Sequence, residues 1–223
     1  MQAQAIEQTD SQVETLLYFP AGEIVAENLT EQQFMEQYID HHAEWVRGYV
    51  IKMSPVQAYH DRMNRYLEFL LSTYLAYRPI GVLFQDPFVM RLRPDVIREP
   101  DLMVVLNEHK ARLLPTMVKG AADLCIEVVS PESSERDRVE KLYEYQKGGV
   151  REYWIIDPPK QEALFYRLNA NKTYDRITPE PADVYESAVL PGLKLNIPTL
   201  WAETLPGPTQ IVKTVAEMLG ETS

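Results

Sequence analysis

Two short apolar segments of the chain each contain one acidic residue. Asp101 precedes the run Leu102–Leu106, and Glu127 lies inside the run 124–129. Both runs are rich in β-branched residues and are bounded by Pro or Ser, which predicts strands buried on both faces. Carboxylates in such strands are costly to desolvate unless a cation compensates them, and hard oxygen ligands suit Mg²⁺ or Mn²⁺. The pair therefore predicts a divalent-metal site. The alternative is that each acid marks a strand end and faces solvent or an Arg.

A helix is predicted to follow the second acidic strand, over residues 135–147. A Ser-Ser pair supplies N-cap residues, and two Gly residues follow the last turn. Because a helix rises about 1.5 Å per residue and a strand about 3.3 Å, Lys141 can lie level with Glu127. Alternatively, Lys141 is a solvated residue paired with Asp137 at i,i+4. The core-facing stripe of this helix is predicted to be Val139, Leu142, Tyr143 and Gln146.

Four features follow one another along the chain: Asp101 in a Pro-Asp pair, Glu127 in EVVS, a helix with Asp137, Lys141 and Tyr145, and the phrase GGVREYWIIDP. In this order they resemble the Uma-two family of restriction endonucleases, which belongs to the PD-(D/E)XK nuclease superfamily. The similarity covers about residues 30–201. It implies an α/β fold that is restriction-endonuclease-like, with a central mixed β-sheet flanked by helices, and a magnesium-dependent phosphodiesterase core.

The resemblance also implies roles for individual residues. Asp101 and Glu127 would bind Mg²⁺, or alternatively Mn²⁺, and the backbone carbonyl of Val128 would complete the coordination shell. The superfamily usually carries a Lys two residues after the second acid, where this chain has Val129. Val129 shares a strand face with Glu127, so no strand Lys reaches the metal. Members with a displaced Lys indicate Lys141 instead, to orient the attacking water or to stabilise charge on the phosphate.

Two further residues are accessory candidates. Glu44 lies in a hairpin predicted to turn at Gly48, where it is either a third acid of the metal site or an ordinary strand-end acid. His60 falls near the first turn of a long helix predicted over residues 55–77, where the family also tends to carry His. It acts either in catalysis or phosphate binding, or as a structural His.

One domain is predicted over residues 19–205, after a polar and mobile N-terminal arm (1–18). A capping box that starts at Thr30 predicts a helix ending near His41 and His42. Adjacent helix residues point about 100° apart, so this pair is interpreted as a polar helix end rather than as a shared metal site.

Three later segments complete the predicted architecture. Residues 81–92 are predicted to form one strand with a break at Pro87. Residues 107–120 are predicted to be a polar connection that lies over the site. Residues 206–223 are predicted to be a C-terminal tail with a short helix over 211–219.

Composition limits the functional classes. The single cysteine, Cys125, cannot form a disulfide within one chain, so a reducing, cytoplasmic location is expected. No segment reaches membrane-spanning length. The formal net charge of −11 opposes an extended nucleic-acid surface. Six cations near the acidic strands offer a local basic surface for weak, salt-sensitive DNA binding, or else are scattered solvated charges. They are Arg91, Arg93, Arg98, Lys110, Arg112 and Lys119.

The expected function is metal-dependent endonucleolytic hydrolysis of DNA. A duplex needs two cuts, so a homodimer is expected. The alternative is a non-catalytic binding or interaction protein on a degenerate nuclease scaffold, which the acidic charge and the missing strand Lys both favour. Hydrolysis of another phosphoester is a third hypothesis.

Overall fold

The computed structural model describes residues 20–53, 57–131, 133–180 and 183–221. The predicted N-terminal arm and the predicted helix start at Pro55 lie outside the described residues. The described part is layered: helices cover one face of a six-stranded sheet, and a second six-stranded sheet packs on the other face. This architecture confirms the predicted α/β fold.

The first sheet carries both acidic segments at its centre. Its strands, in spatial order, are β12 (Tyr174–Ile177), β11 (Glu162–Leu168), β10 (Glu152–Asp157), β9 (Leu124–Val128), β7 (Leu102–Leu106) and β4 (Gly81–Gln85). β9 and β10 are parallel, and every other neighbouring pair is antiparallel. The sheet is therefore mixed, as predicted.

The second sheet contains, in spatial order, β1 (Glu23–Ala26), β3 (Tyr49–Lys52), β2 (Ala43–Val46), β6 (Val96–Arg98), β5 (Val89–Arg93) and β8 (Met117–Lys119). The prediction of one interrupted strand over residues 81–92 is wrong, because β4 and β5 belong to different sheets. The chain changes sheet at Pro87, whose nitrogen carries no hydrogen for a ladder bond.

The β2–β3 hairpin confirms the predicted turn at Gly48. Arg47 and Gly48 have φ angles of 49° and 89°. Two consecutive positive φ angles are typical of the tight turn that matches the twist of antiparallel strands. The resulting register pairs Glu44 with Ile51 and places Glu44, which is fully buried, between the two sheets.

The helices are α1 (Glu31–Gln37), α2 (Ala58–Tyr77), α3 (Leu142–Gly148), α4 (Ile197–Leu200) and α5 (Pro208–Met218). A π-helical segment, Arg136–Lys141, leads directly into α3, and a 3₁₀-helix covers Asn107–Arg112. β13 (Val184–Glu186) and β14 (Lys194–Asn196) form a separate pair. The capping box predicted at Thr30 is present, although α1 ends before the predicted end near His42.

Successive side chains of β9 point to opposite faces of the sheet and pack into two separate cores. Ile126 packs with α2 and α5 on one face, whereas Cys125 and Val129 pack between the sheets. The predicted C-terminal helix is confirmed as α5, and its Ile211 and Val215 are buried in the first of these cores. Burial on both faces holds the central strands rigidly and therefore fixes the ends that carry the acids.

Candidate active site

Asp101 and Glu127 lie close together at the ends of two neighbouring central strands of the first sheet. β7 and β9 are antiparallel with Leu102 opposite Ile126, so the start of one strand lies beside the end of the other. Asp101 directly precedes β7, and the backbone N–H of Val128 donates to its Oδ2 at 2.6 Å. Asp101 and Glu127 are both buried and line the same cavity. The structure thus brings the two predicted acids together, and Val128 lines the same cavity.

Lys141 reaches this pair from the helix, at the level expected from the sequence. Its Nζ lies 2.8 Å from Glu127 Oε2, 3.2 Å from Glu44 Oε1 and 3.5 Å from Asp137 Oδ1. Burial favours the neutral amine, but the three carboxylates outweigh it and raise the pKa of Lys141 well above its usual range. Lys141 is therefore a buried ammonium ion, not a solvated helix residue.

The predicted apolar stripe of this helix is right for Leu142, which packs against the core between the sheets, and wrong for Val139. Val139 is the most exposed member, at 36 % of its surface. The buried face instead carries charge, because the strands opposite supply oppositely charged partners and the π-helical turn shifts the phase of the side chains. Its residues are Arg136, Asp137, Glu140, Lys141, Glu144 and Tyr145.

Glu44 lies behind Lys141 and does not line the cavity. Its Oε2 accepts a 2.7 Å hydrogen bond from Arg98 Nη1, and its Oε1 accepts from the backbone N–H of Glu99 at 3.1 Å. Burial would raise the pKa of Glu44, but Lys141, Arg98 and Arg136 together hold it well below its usual range. Glu44 is thus a buried carboxylate that supports Lys141.

His60 occupies the first turn of α2, as predicted, and contacts the site directly. Its Nε2 lies 3.2 Å from Asp101 Oδ2, and its Nδ1 lies 3.4 Å from Asn64 Nδ2. Burial lowers the pKa of His60, but the bond to Asp101 more than offsets this, so the net shift is upward. Because Asn64 donates a hydrogen bond to Nδ1, Nε2 can carry the ring hydrogen and donate a hydrogen bond to Asp101.

Tyr145 and Asp137 complete the surroundings of Glu127. The Tyr145 hydroxyl donates to Glu127 Oε1 at 2.7 Å. Tyr145 lies four residues, about one helical turn, after Lys141. Asp137 and Tyr145 were named in the sequence only through the family resemblance, and their spacing by four residues on either side of Lys141 is the signal that could have placed them here. His42, Asp86, Ser133 and Arg136 also line the cavity, and sequence reasoning did not assign them to it.

The cavity fits a hydrated divalent cation. Its volume is about 50 Å³, which exceeds the roughly 10–15 Å³ needed for one water molecule. Four carboxyl groups line it beside the cationic side chains of Arg136 and Lys141, so its walls supply more acidic than basic groups. Burial raises the pKa of Glu127 well above its usual range, which Lys141 only partly opposes, and a bound cation would favour the ionised form. Mg²⁺ needs only one or two carboxylates because it retains several waters.

The predicted basic surface is not formed as expected. Arg98 is fully buried and bonded to Glu44, Glu140 and Glu144. Arg91 and Arg93 pair with nearby acids, and Arg112 donates to a backbone carbonyl. Lys110 and Lys119 are exposed. The segment 107–120 leaves β7 at the end opposite Asp101, so its predicted position over the site is also wrong.

The mixed sheet, with two acids at one edge and a lysine supplied by the following helix, defines a restriction-endonuclease-like fold. The chain belongs to the Uma2 family, described as "Putative restriction endonuclease", which it matches over residues 31–198.

A solved structure supports the same fold. It is "a putative nuclease belonging to DUF820" from Anabaena variabilis ATCC 29413, with a TM-score of 0.66 and 20 % sequence identity. The match covers 78 % of this chain and 97 % of that one. No curated protein matches the chain. Among the described helices, none has the length and apolar character needed to cross a membrane.

Proposed function

We propose that this protein hydrolyses phosphodiester bonds in DNA with a divalent cation, Mg²⁺ or alternatively Mn²⁺, held by Asp101 and Glu127. The observation that carries the proposal is the convergence of Asp101, Glu127 and Lys141 from three segments on one acidic cavity. Membership of a nuclease family supports the same chemistry.

The chain's own groups prepare the site. Val128 N–H fixes Asp101, and we assign the Val128 carbonyl as a further ligand. Tyr145 and Lys141 each hold one oxygen of Glu127, so that carboxylate is oriented before any ion arrives. When bound, the cation would polarise the phosphate and lower the pKa of a coordinated water. Lys141 would orient that water and stabilise charge developing on the phosphate.

His60 and Glu44 act as positioning residues in this proposal. His60 Nε2 restrains the Asp101 oxygen that also accepts from Val128. Glu44 lies 3.2 Å from Lys141 and keeps the ammonium group aimed at Glu127. Neither residue needs to touch the substrate, because each acts through a group that lines the cavity.

The test is nicking of supercoiled plasmid at low salt with Mg²⁺ or Mn²⁺. Low salt is needed because a chain of net charge −11 encounters DNA poorly. Asp101→Asn and Glu127→Gln keep the side-chain shapes and should each reduce cleavage by on the order of 100-fold or more. Asp175→Asn, which changes an exposed acid on β12, is the matched control and should cleave normally.

A non-catalytic scaffold is the second candidate, and the net charge of −11 together with the pairing of several arginines favours it. Metal-dependent cleavage by wild type that both acid variants lose would exclude this candidate. Absence of cleavage by folded wild type would favour it.

We further propose that the chain acts as a homodimer in a reducing, cytoplasmic setting. Two copies would supply the two cuts that a duplex requires. Cys125 is fully buried and burial raises the pKa of its thiol, so it is protected from disulfide exchange. Light scattering at several protein concentrations gives the mass directly; a monomer mass throughout would contradict the dimer.

A further inference from the structure

We propose that His42, Asp86 and Glu99 form a second divalent-cation site, distinct from the Asp101–Glu127 pair. One ligand atom from each of the three side chains lies within 4.8 Å of the others. An imidazole with two carboxylates suits a first-row ion such as Zn²⁺ or Mn²⁺ better than Mg²⁺, which prefers oxygen alone. The inference does not rest on the proposed nuclease activity.

Three separate segments bring these ligands together. His42 directly precedes β2, Asp86 follows β4, and Glu99 follows β6. His42 has a positive φ of 49°, and its carbonyl accepts from Met53 N–H at 3.0 Å. Asp86 N–H and Glu99 N–H are also hydrogen-bonded, at 3.3 Å and 3.1 Å. The backbone at each ligand is therefore held in place without an ion.

Glu99 is the observation that points to a cation. Its side chain is 1 % exposed, and its Oε2 has no hydrogen-bond partner among the described residues. Its Oε1 lies 3.0 Å from His42 Nδ1, but no described group pairs with Oε2. A buried carboxylate that is short of donors is unfavourable and keeps its proton unless a cation compensates it; a cation bound between Glu99, His42 and Asp86 would replace that proton.

A second cluster of similar composition shows the contrast. Glu108, His109 and Asp123 also bring their ligand atoms within 4.8 Å. There, however, Asp123 accepts from the backbone N–H of Leu106 at 2.8 Å, and Arg151 lies 2.8 Å from Glu108. The protein itself satisfies those carboxylates, so that cluster needs no ion. Within the described part of the chain, Glu99 Oε2 lacks such a donor.

The surroundings allow an ion to enter and to affect the larger cavity. The His42 side chain is 52 % exposed, so water can reach the site and complete the coordination shell. His42 and Asp86 also line the cavity that contains Asp101 and Glu127. A cation here would add positive charge to one wall of an acidic cavity, which favours approach of a phosphate.

The test measures metal binding in a background that lacks the other site. Tag-free Asp101→Asn/Glu127→Gln protein is titrated with Zn²⁺ by calorimetry and with Mn²⁺ by electron paramagnetic resonance. We expect one ion per chain. Adding His42→Ala to this background should weaken ion binding by more than about 100-fold, because removing a metal ligand lowers the affinity more than removing an outer-shell partner does. His41→Ala, at the exposed neighbouring residue, should leave binding unchanged.

Glu99→Gln provides a second, near-isosteric variant, and near-ultraviolet circular dichroism verifies that each variant is folded. The proposal is overturned if the double variant binds neither ion, or if folded His42→Ala and Glu99→Gln proteins bind as well as their parent. Failure of the nuclease proposal has a different signature: the double variant binds one ion normally, while wild type shows no cleavage.

Discussion

Removing the charge of Arg98 should destabilise the fold more than removing any partly exposed arginine. Arg98 is fully buried between two sheets and a helix, and it bonds Glu44 at 2.7 Å, Glu144 at 2.7 Å and Glu140 at 3.2 Å. Arg98→Met keeps much of the volume but leaves three carboxylates facing an apolar chain. Deleting one partner of a buried ion pair costs about 3–5 kcal/mol.

That loss is a large part of the roughly 5–15 kcal/mol that keeps a typical domain folded. For a chain of this size, about 2–4 °C of melting temperature corresponds to each kcal/mol, so Arg98→Met should melt about 6–20 °C below wild type. Urea denaturation and calorimetry measure both quantities. Arg93→Met is the control: Arg93 is 28 % exposed and pairs with Asp95, so it should cost under about 1 kcal/mol.

The pH dependence provides an internal check on the Arg98 result. Glu44 has a lowered pKa in the folded protein, so its ion pairing stabilises the fold above the unfolded carboxyl pKa, about 4.3. That stabilisation is lost as the pH falls below this value. The difference between wild type and Arg98→Met should therefore be largest near neutral pH and should shrink in acid. A loss equal to that of Arg93→Met, or one independent of pH, would refute the reasoning.

Three other changes have defined outcomes. Tyr145→Phe removes the hydroxyl that donates to Glu127 and should weaken Mg²⁺ binding by about 10–100-fold in calorimetry; unchanged affinity would contradict this. Gly148→Ala places a Cβ against the Leu92 side chain, closer than van der Waals contact, and should cost about 1–3 kcal/mol in urea denaturation; a neutral effect would show that Leu92 can move freely. Glu152→Gln alters a buried carboxylate that accepts five hydrogen bonds, so at least one donor loses its partner at about 1–3 kcal/mol; a melting temperature equal to that of wild type would contradict it.

Residues whose position depends on local periodicity were predictable from the sequence. The rises of strand and helix placed Lys141 level with Glu127, and the observed 2.8 Å contact follows from them. Alternation along β9 likewise put Val129 on the face of Glu127. There Val129 packs in the apolar core between the sheets, which is consistent with the absence of a strand lysine.

Features that depend on long-range partners were not predictable. The helix after Glu127 buries charged side chains because Arg98 and Glu44, which are distant in sequence, lie on the facing strands and pair with them. Hydrophobic periodicity carries no information about such partners, so it selected the exposed Val139 as core. Arg98 was assigned to the surface for the same reason. The switch between sheets at Pro87 also depends on tertiary packing that a strand-and-break pattern does not encode.

In the proposed mechanism, Lys141 serves from a helix the metal site that Asp101 and Glu127 form. Plasmid nicking with Mg²⁺ at low salt, comparing Lys141→Ala with Lys147→Ala, tests it most directly. Lys147 is the exposed lysine near the end of the same helix. The structure predicts that Lys147→Ala cleaves like wild type and that folded Lys141→Ala loses on the order of 100-fold or more. Equal cleavage by the two variants would contradict the account.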